Sequence, residues 1–114
     1  MDLVCDTLGD LMAVRVPLPR IDAACAIQFK DCMREIGRDA PARVVLDLEQ
    51  VDFIDSSGLG AIVAVMKQLG NSATLELAAL SPTVEKVFRL TRMDTVFAIH
   101  SSVAEAMKAE RRVG

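Results

Sequence analysis

Residues 44–69 read VVLDLEQVDFIDSSGLGAIVAVMKQL, and the fold turns on them. Val44, Val45, Leu46 and Leu48 form a short, nearly continuous aliphatic run, the pattern of a strand buried on both faces. After Gly58 the apolar residues Leu59, Ile62, Val63, Met66 and Leu69 recur at steps of three and four, so they share one helical face packed towards a sheet. Asp55, Ser56 and Ser57 lie between the two. The unit is strand, loop, helix.

The start of that helix is its special place. Gly58 and Gly60 both fall in the first turn, where each Gly costs roughly 0.5–1 kcal/mol relative to Ala. With Ala61 and Ala64 they let the helix lie close to its neighbours. Asp55, Ser56 and Ser57 stand where N-cap side chains accept hydrogen bonds from unpaired first-turn amides. One cap suffices, so at least one Ser hydroxyl is left for solvent at the carboxyl end of a strand, the edge where open α/β sheets form their sites. From the residues alone, Ser56 reads as an N-cap.

The rest of the chain builds around this unit. Residues 3–5 and 11–16 are short apolar segments separated by Leu8, Gly9 and Asp10, which predicts an antiparallel hairpin with Gly9 at positive φ. Pro17 and Pro19 end the second strand. Asp22 is expected to cap a helix reaching about Ile36, with Cys25, Phe29, Cys32, Met33 and Ile36 on one face and Gly37 closing it. Gly70, Asn71 and Ser72 make a turn, and residues 74–77 alternate as a strand. Ser81 and Pro82 start a further helix, whose buried face is predicted to be Val84, Val87, Phe88 and Thr91. Residues 95–99 read as a last strand. Ser101 or Ser102 then caps a final helix through Val103, Ala104 and Met107, with Arg111 and Arg112 placing positive charge at its C-terminus. The order β, β, α, β, α, β, α, β, α predicts an α/β fold over residues 1–114: one domain with a mixed, mainly parallel sheet of about five strands and about four helices.

The 114 residues are 52% hydrophobic and 25% charged, enough for a real core. Thirteen basic against sixteen acidic residues give a net charge of −3, and no basic run interleaves with aromatics, which argues against nucleic acid as a partner. Asp2, Asp6 and Asp10 are spread through the N-terminus in place of a basic, apolar leader. The longest apolar run, residues 61–66, is far short of the ~20 residues that span a bilayer. A soluble, cytoplasmic chain with no membrane insertion is expected. Cys5, Cys25 and Cys32 make no CxxC pair and read as core thiols in a reducing compartment.

Enzyme patterns fail one by one. Gly58 and Gly60 begin a dinucleotide-binding turn, but its third Gly would fall at Val63, and no P-loop sequence is present. Ser56 and Ser57 lack the Gly two positions earlier that a nucleophile elbow needs, and His100, the only His, has no evident orienting partner; it reads as a strand-end or surface residue. Asp47, Glu49, Asp52 and Asp55 do not follow a calcium-loop pattern and read as a solvated acidic rim. No enzymatic activity, cofactor or metal is expected.

The segment Asp55, Ser56, Ser57, Gly58, Leu59, Gly60, preceded by the hydrophobic run and by Asp52 and Phe53, resembles the signature of the STAS domain family, in particular bacterial anti-sigma-factor antagonists. Ser81, Pro82, Val84 and Phe88 resemble the family's third-helix region. The resemblance covers nearly the whole chain and implies the STAS fold, which has the element order read above. It also implies that Ser56 is the site of reversible phosphorylation, which leaves Ser57 as the cap or a hydroxyl support. Gly58 and Gly60 then shape the helix start, Leu59 is either core or an exposed apolar contact, and Asp22 and Asp55 complete the site. The implied partners are an anti-sigma factor that is itself the Ser kinase and a metal-dependent Ser phosphatase. Phosphorylation would then break the complex without refolding the domain. Where the family carries Gly, Glu, Leu, Asp before its first helix, this chain has Pro19, Arg20, Ile21, Asp22, and only the Asp matches; the turn at residues 70–72 is also shorter. A second reading of the resemblance is a non-switching accessory STAS subunit of an ABC-type lipid transporter. A third keeps the switch and directs it to an output other than a sigma factor.

Overall fold

The computed structural model describes residues 1–109. Strand β1 (Val4–Leu8) and β2 (Leu11–Arg15) form the expected hairpin, with Gly9 at φ +69° in its two-residue turn. The chain then runs through β3 (Arg20–Ile21), α1 (Ala26–Gly37), β4 (Arg43–Asp47), β5 (Phe53–Ile54), α2 (Ser56–Leu69), β6 (Thr74–Ala78) and α3 (Pro82–Leu90). It continues with a 3-10 turn (Met93–Thr95), β7 (Ile99–His100) and α4 (Val103–Lys108). The main sheet has the order β1-β2-β4-β6-β7, antiparallel only at β1–β2. A second sheet of two parallel strands, β3 and β5, was not anticipated; two residues per strand are too few to show a period.

Val44 and Leu46 of β4 are fully buried towards α1, α2 and α3, among Phe29, Met33, Ile62, Val65, Val84 and Phe88. Val45, between them, is buried on the opposite face with Leu11, Ala13, Ala78 and Ala106 of α4. The central strand is therefore buried on both faces, as its aliphatic run requires. No helix among the described residues is long and apolar enough to cross a membrane.

Several expectations are corrected. Asp22 does not cap α1: the helix begins only at Ala26 with no side-chain cap, and Asp22 closes the preceding turn by accepting from the Ala24 N–H at 3.1 Å. The buried face of α2 is Gly58, Ala61, Ile62, Val65 and Leu69, while Leu59, Val63 and Met66 are half-buried. Gly58 lies on that buried face, where only a residue without a Cβ fits against the Ile21 carbonyl. Residues 95–99 are not a strand throughout. Phe97 turns inwards, edge-on to Phe88 at 6.0 Å between ring centroids, and only Ile99–His100 pairs with β6. Thr91 is an exposed C-cap residue; in α4 it is Ala106 that is buried, with Met107 exposed. Cys5 is exposed on β1 and Cys25 and Cys32 are half-buried, so none is a core thiol. Arg111 and Arg112 lie outside the described residues.

On the α4 side of the sheet, Arg43 donates from Nε and Nη2 to the Glu76 carboxylate at 2.8 and 2.7 Å, and from Nη2 to the Ala106 carbonyl at 2.9 Å. His100 donates from Nε2 to Glu76 Oε1 at 2.8 Å, so this single His has a partner that the sequence did not reveal. Burial pushes the Glu76 carboxyl up, but the hydrogen bonds from Arg43 and His100 outweigh it and hold it below its ordinary value. This ties α4 to the sheet. Glu76→Gln should lower stability at neutral pH by about 3–5 kcal/mol, because it strands the buried Arg43, whereas Arg43→Met with Glu76→Leu should cost much less. A folded-state value below the unfolded one means that the carboxylate's contribution is complete above about pH 4.3 and is lost as the pH falls through the folded value. Denaturant titrations of the three proteins over pH 3–7 measure both effects.

Candidate functional site

The sequence places Asp55, Ser56, Ser57, Gly58, Leu59 and Gly60 at the start of α2, and the chain assembles a compact junction there. β5 is drawn alongside β3 by its register pairs Arg20↔Phe53 and Ile21↔Ile54, and the Asp52 and Phe53 N–H groups both donate to the Pro19 carbonyl. Asp55 follows in extended conformation and is the N-cap of α2. Its Oδ1 accepts from the Gly58 N–H at 2.8 Å and its Oδ2 from the Ala23 N–H at 3.1 Å, thirty-two residues away. The same carboxylate thus caps α2 and fastens the turn that leads into α1. The Gly58 N–H, and with it the Ala23 N–H, holds the Asp55 carboxyl below the usual carboxylate range.

Gly58 is obligatory for a different reason. A Cβ there would collide with the Ile21 carbonyl oxygen and crowd the Ile54 side chain. Gly60 meets no such barrier, with nothing within 4 Å of a Cβ, so the two glycines that the sequence treats alike have separate roles.

With Asp55 as the cap, Ser57 is not, and Ser56 and Ser57 occupy the first two helical positions with exposed side chains. Neither hydroxyl makes a side-chain hydrogen bond among the described residues. Leu59 is half-buried against the core. Asp22 belongs to the site through the turn it closes: its Oδ2 accepts from Arg20 Nε at 3.1 Å, and it precedes the Ala23 amide held by Asp55. Cys25 completes the turn, its Sγ accepting from the Asp22 N–H at 3.5 Å. Glu49 and Asp52, in the segment that leads into β5, are exposed, and Asp47, at the end of β4, is half-buried. Sequence reasoning missed Arg20 as a site residue; its guanidinium carbon lies 4.5 Å from the centre of the Phe53 ring. The departure at Pro19, Arg20 and Ile21 was the available signal.

Chemically, the junction offers two exposed hydroxyls at a helix start whose cap is the neighbouring Asp55 carboxylate. It can accept a modification and present a surface. A recess of about 420 Å³ lies elsewhere, over Arg43, Glu76 and His100, but their polar groups are engaged with one another, and its other walls include Thr74, Leu75 and Val96.

Comparison with known proteins agrees with this geometry. The profile of the STAS domain matches residues 3–106. The anti-sigma-F factor antagonist RsfB of Mycobacterium tuberculosis is 26% identical over 91 residues, covering 80% of this chain and 75% of that protein. An anti-sigma-factor antagonist (STAS) domain protein from Planctomyces limnophilus superposes with a TM-score of 0.86 at 23% identity, over 96% of this chain and 97% of that one. The Bacillus cell fate determinant SpoIIAA in its phosphorylated form superposes with a TM-score of 0.70 at 20% identity, over 96% and 100% of the two chains. The likeness to these two structures is one of fold.

The division of roles is testable by thermal unfolding. Asp55→Ala should lower the melting temperature by several degrees, and Gly58→Ala by more, since a backbone carbonyl cannot move aside as a side chain can. Ser56→Ala and Ser57→Ala should leave it unchanged, and Gly60→Ala should raise it slightly.

Proposed function

Since the chain belongs to the STAS domain family, we propose that it is an anti-sigma-factor antagonist, a non-enzymatic switch that binds an anti-sigma factor through the start of α2 while Ser56 is unmodified and lets go when Ser56 is phosphorylated. The name of the M. tuberculosis relative supports the class of partner. The observation that carries the switch is the exposed Ser56 hydroxyl beside a helix cap supplied by Asp55. Modification of Ser56 costs the fold no cap.

A phosphate on Ser56 adds about −1.5 to −2 charge at the first turn of α2. The helix N-terminus favours an anion by roughly 0.3–1 kcal/mol, so the fold tolerates it. A carboxylate about 4 Å away opposes it by about 1–4 kcal/mol according to how far water is excluded. At the free surface, solvent screens most of that repulsion. Under a docked partner the phosphate must also shed water, which adds several kcal/mol unless the partner supplies matching cations. Every 1.4 kcal/mol is a tenfold change in affinity, so a modest electrostatic change empties the complex.

In this reading residues 1–114 act as one domain, the anti-sigma factor is also the Ser kinase, and a metal-dependent phosphatase resets Ser56. Gly58 and Asp55 fix the shape of the docking surface, and Asp22, Ser57, Leu59 and Gly60 lie within it.

Capture from a lysate of the source organism tests the proposal, with wild type, Ser56→Ala and Ser56→Asp as baits. A kinase-type anti-sigma factor should be retained by the first two and bound at least tenfold more weakly by Ser56→Asp. Equal capture of one partner by all three baits, or of a transporter ATPase, would contradict it.

A further inference from the structure

We infer that Arg20 receives the Ser56 phosphate within the same chain, an assignment that rests on the phosphorylation proposed above. Arg20 pairs with Phe53 across the β3–β5 ladder, and Phe53 is three residues before Ser56. Two contacts already hold its side chain at this junction: the guanidinium carbon sits 4.5 Å from the centre of the Phe53 ring, and Nε donates to Asp22 Oδ2 at 3.1 Å. The side chain is nevertheless 59% exposed, and neither Nη nitrogen donates a hydrogen bond among the described residues. One edge of the fork is anchored and the other faces solvent.

The surrounding charges make this cation the natural counter-ion. Asp22, Asp52 and Asp55 crowd the junction with negative charge, and the Asp55 carboxylate cannot swing away, because both of its oxygens hold backbone amides. Arg15 ends β2 beside Asp47 and lies on the α4 side of the sheet, with Ala13. Three residues of backbone span about 10 Å at most, a gap that an arginine and a phosphoserine side chain close together. A guanidinium fork suits phosphate better than a point charge does, and stacking on Phe53 limits the freedom that Arg20 loses on engaging it.

The phosphorylated domain is thereby spared part of the repulsion from its own carboxylates.

The test needs neither kinase nor partner. Phosphoserine is incorporated at position 56 of the full chain during translation, and the phosphate is titrated by 31P NMR at low salt. Its second pKa, ordinarily about 6, should lie about half a unit lower in the wild type than in Arg20→Gln. Arg20→Lys should fall between, because it keeps the charge without the fork. Arg34→Gln, a change to an exposed arginine on α1 paired with Asp31, should match the wild type. The difference should shrink in about 1 M salt. Identical values for wild type and Arg20→Gln, with both proteins folded by their amide spectra, would overturn the assignment. Failure of the functional reading would look different: the phosphoserine protein would bind the anti-sigma factor undiminished while the titration still depended on Arg20.

Discussion

The carboxylate of Asp55 holds two parts of the chain in register at once. One oxygen caps α2 through the Gly58 amide, and the other takes the Ala23 amide from the turn that leads into α1. That pair of hydrogen bonds fixes where α2 begins, and the absence of a side chain at Gly58 lets the helix lie against the Ile21 carbonyl. With the N-terminus of α2 set in this way, Ser56 has no structural duty. A residue free of structural duty, held in fixed position, suits a covalent charge switch.

Rigidity beneath that residue comes from the sheet. The central strand β4 is buried on both faces, and α1, α2 and α3 share a core with it that includes Phe29, Phe88 and Leu46. On the other face the Arg43, Glu76 and His100 network satisfies its own polar groups and holds α4 by the Ala106 carbonyl. A phosphate worth a few kcal/mol at the surface is small against such packing and large against a binding equilibrium. The physical expectation is a switch that changes what the surface accepts and leaves the backbone in place.

Much of this was legible in the sequence, and the failures share a cause. The order of strands and helices follows from aliphatic runs and three-four spacing, and the Ser81 cap from its own local pattern; the structure has Ser81 Oγ accepting from the Val84 amide as expected. The α2 cap was not decidable locally, because Asp and Ser cap about equally well. A bond from Ala23, distant in sequence, selects Asp55. The buried face of α2 includes Gly58, which has no apolar side chain to mark it in the sequence, and the ring contact that turns Phe97 onto Phe88 is invisible to period-two patterning. β3 and β5 are too short to announce themselves, yet their pairing brings Arg20 over Phe53. Cys5 reads as core until β1 is known to be an exposed edge strand.

The most direct measurement is a comparison of backbone amide spectra of the full chain with serine and with phosphoserine at position 56. If a surface charge acts on a rigid scaffold, the shifts will be confined to residues 20–24 and 53–60, and the amides of β4, β6 and α4 will keep their positions and exchange protection. Widespread shifts through the sheet, or loss of protection in α2, would show that the phosphate refolds the domain and would contradict the account.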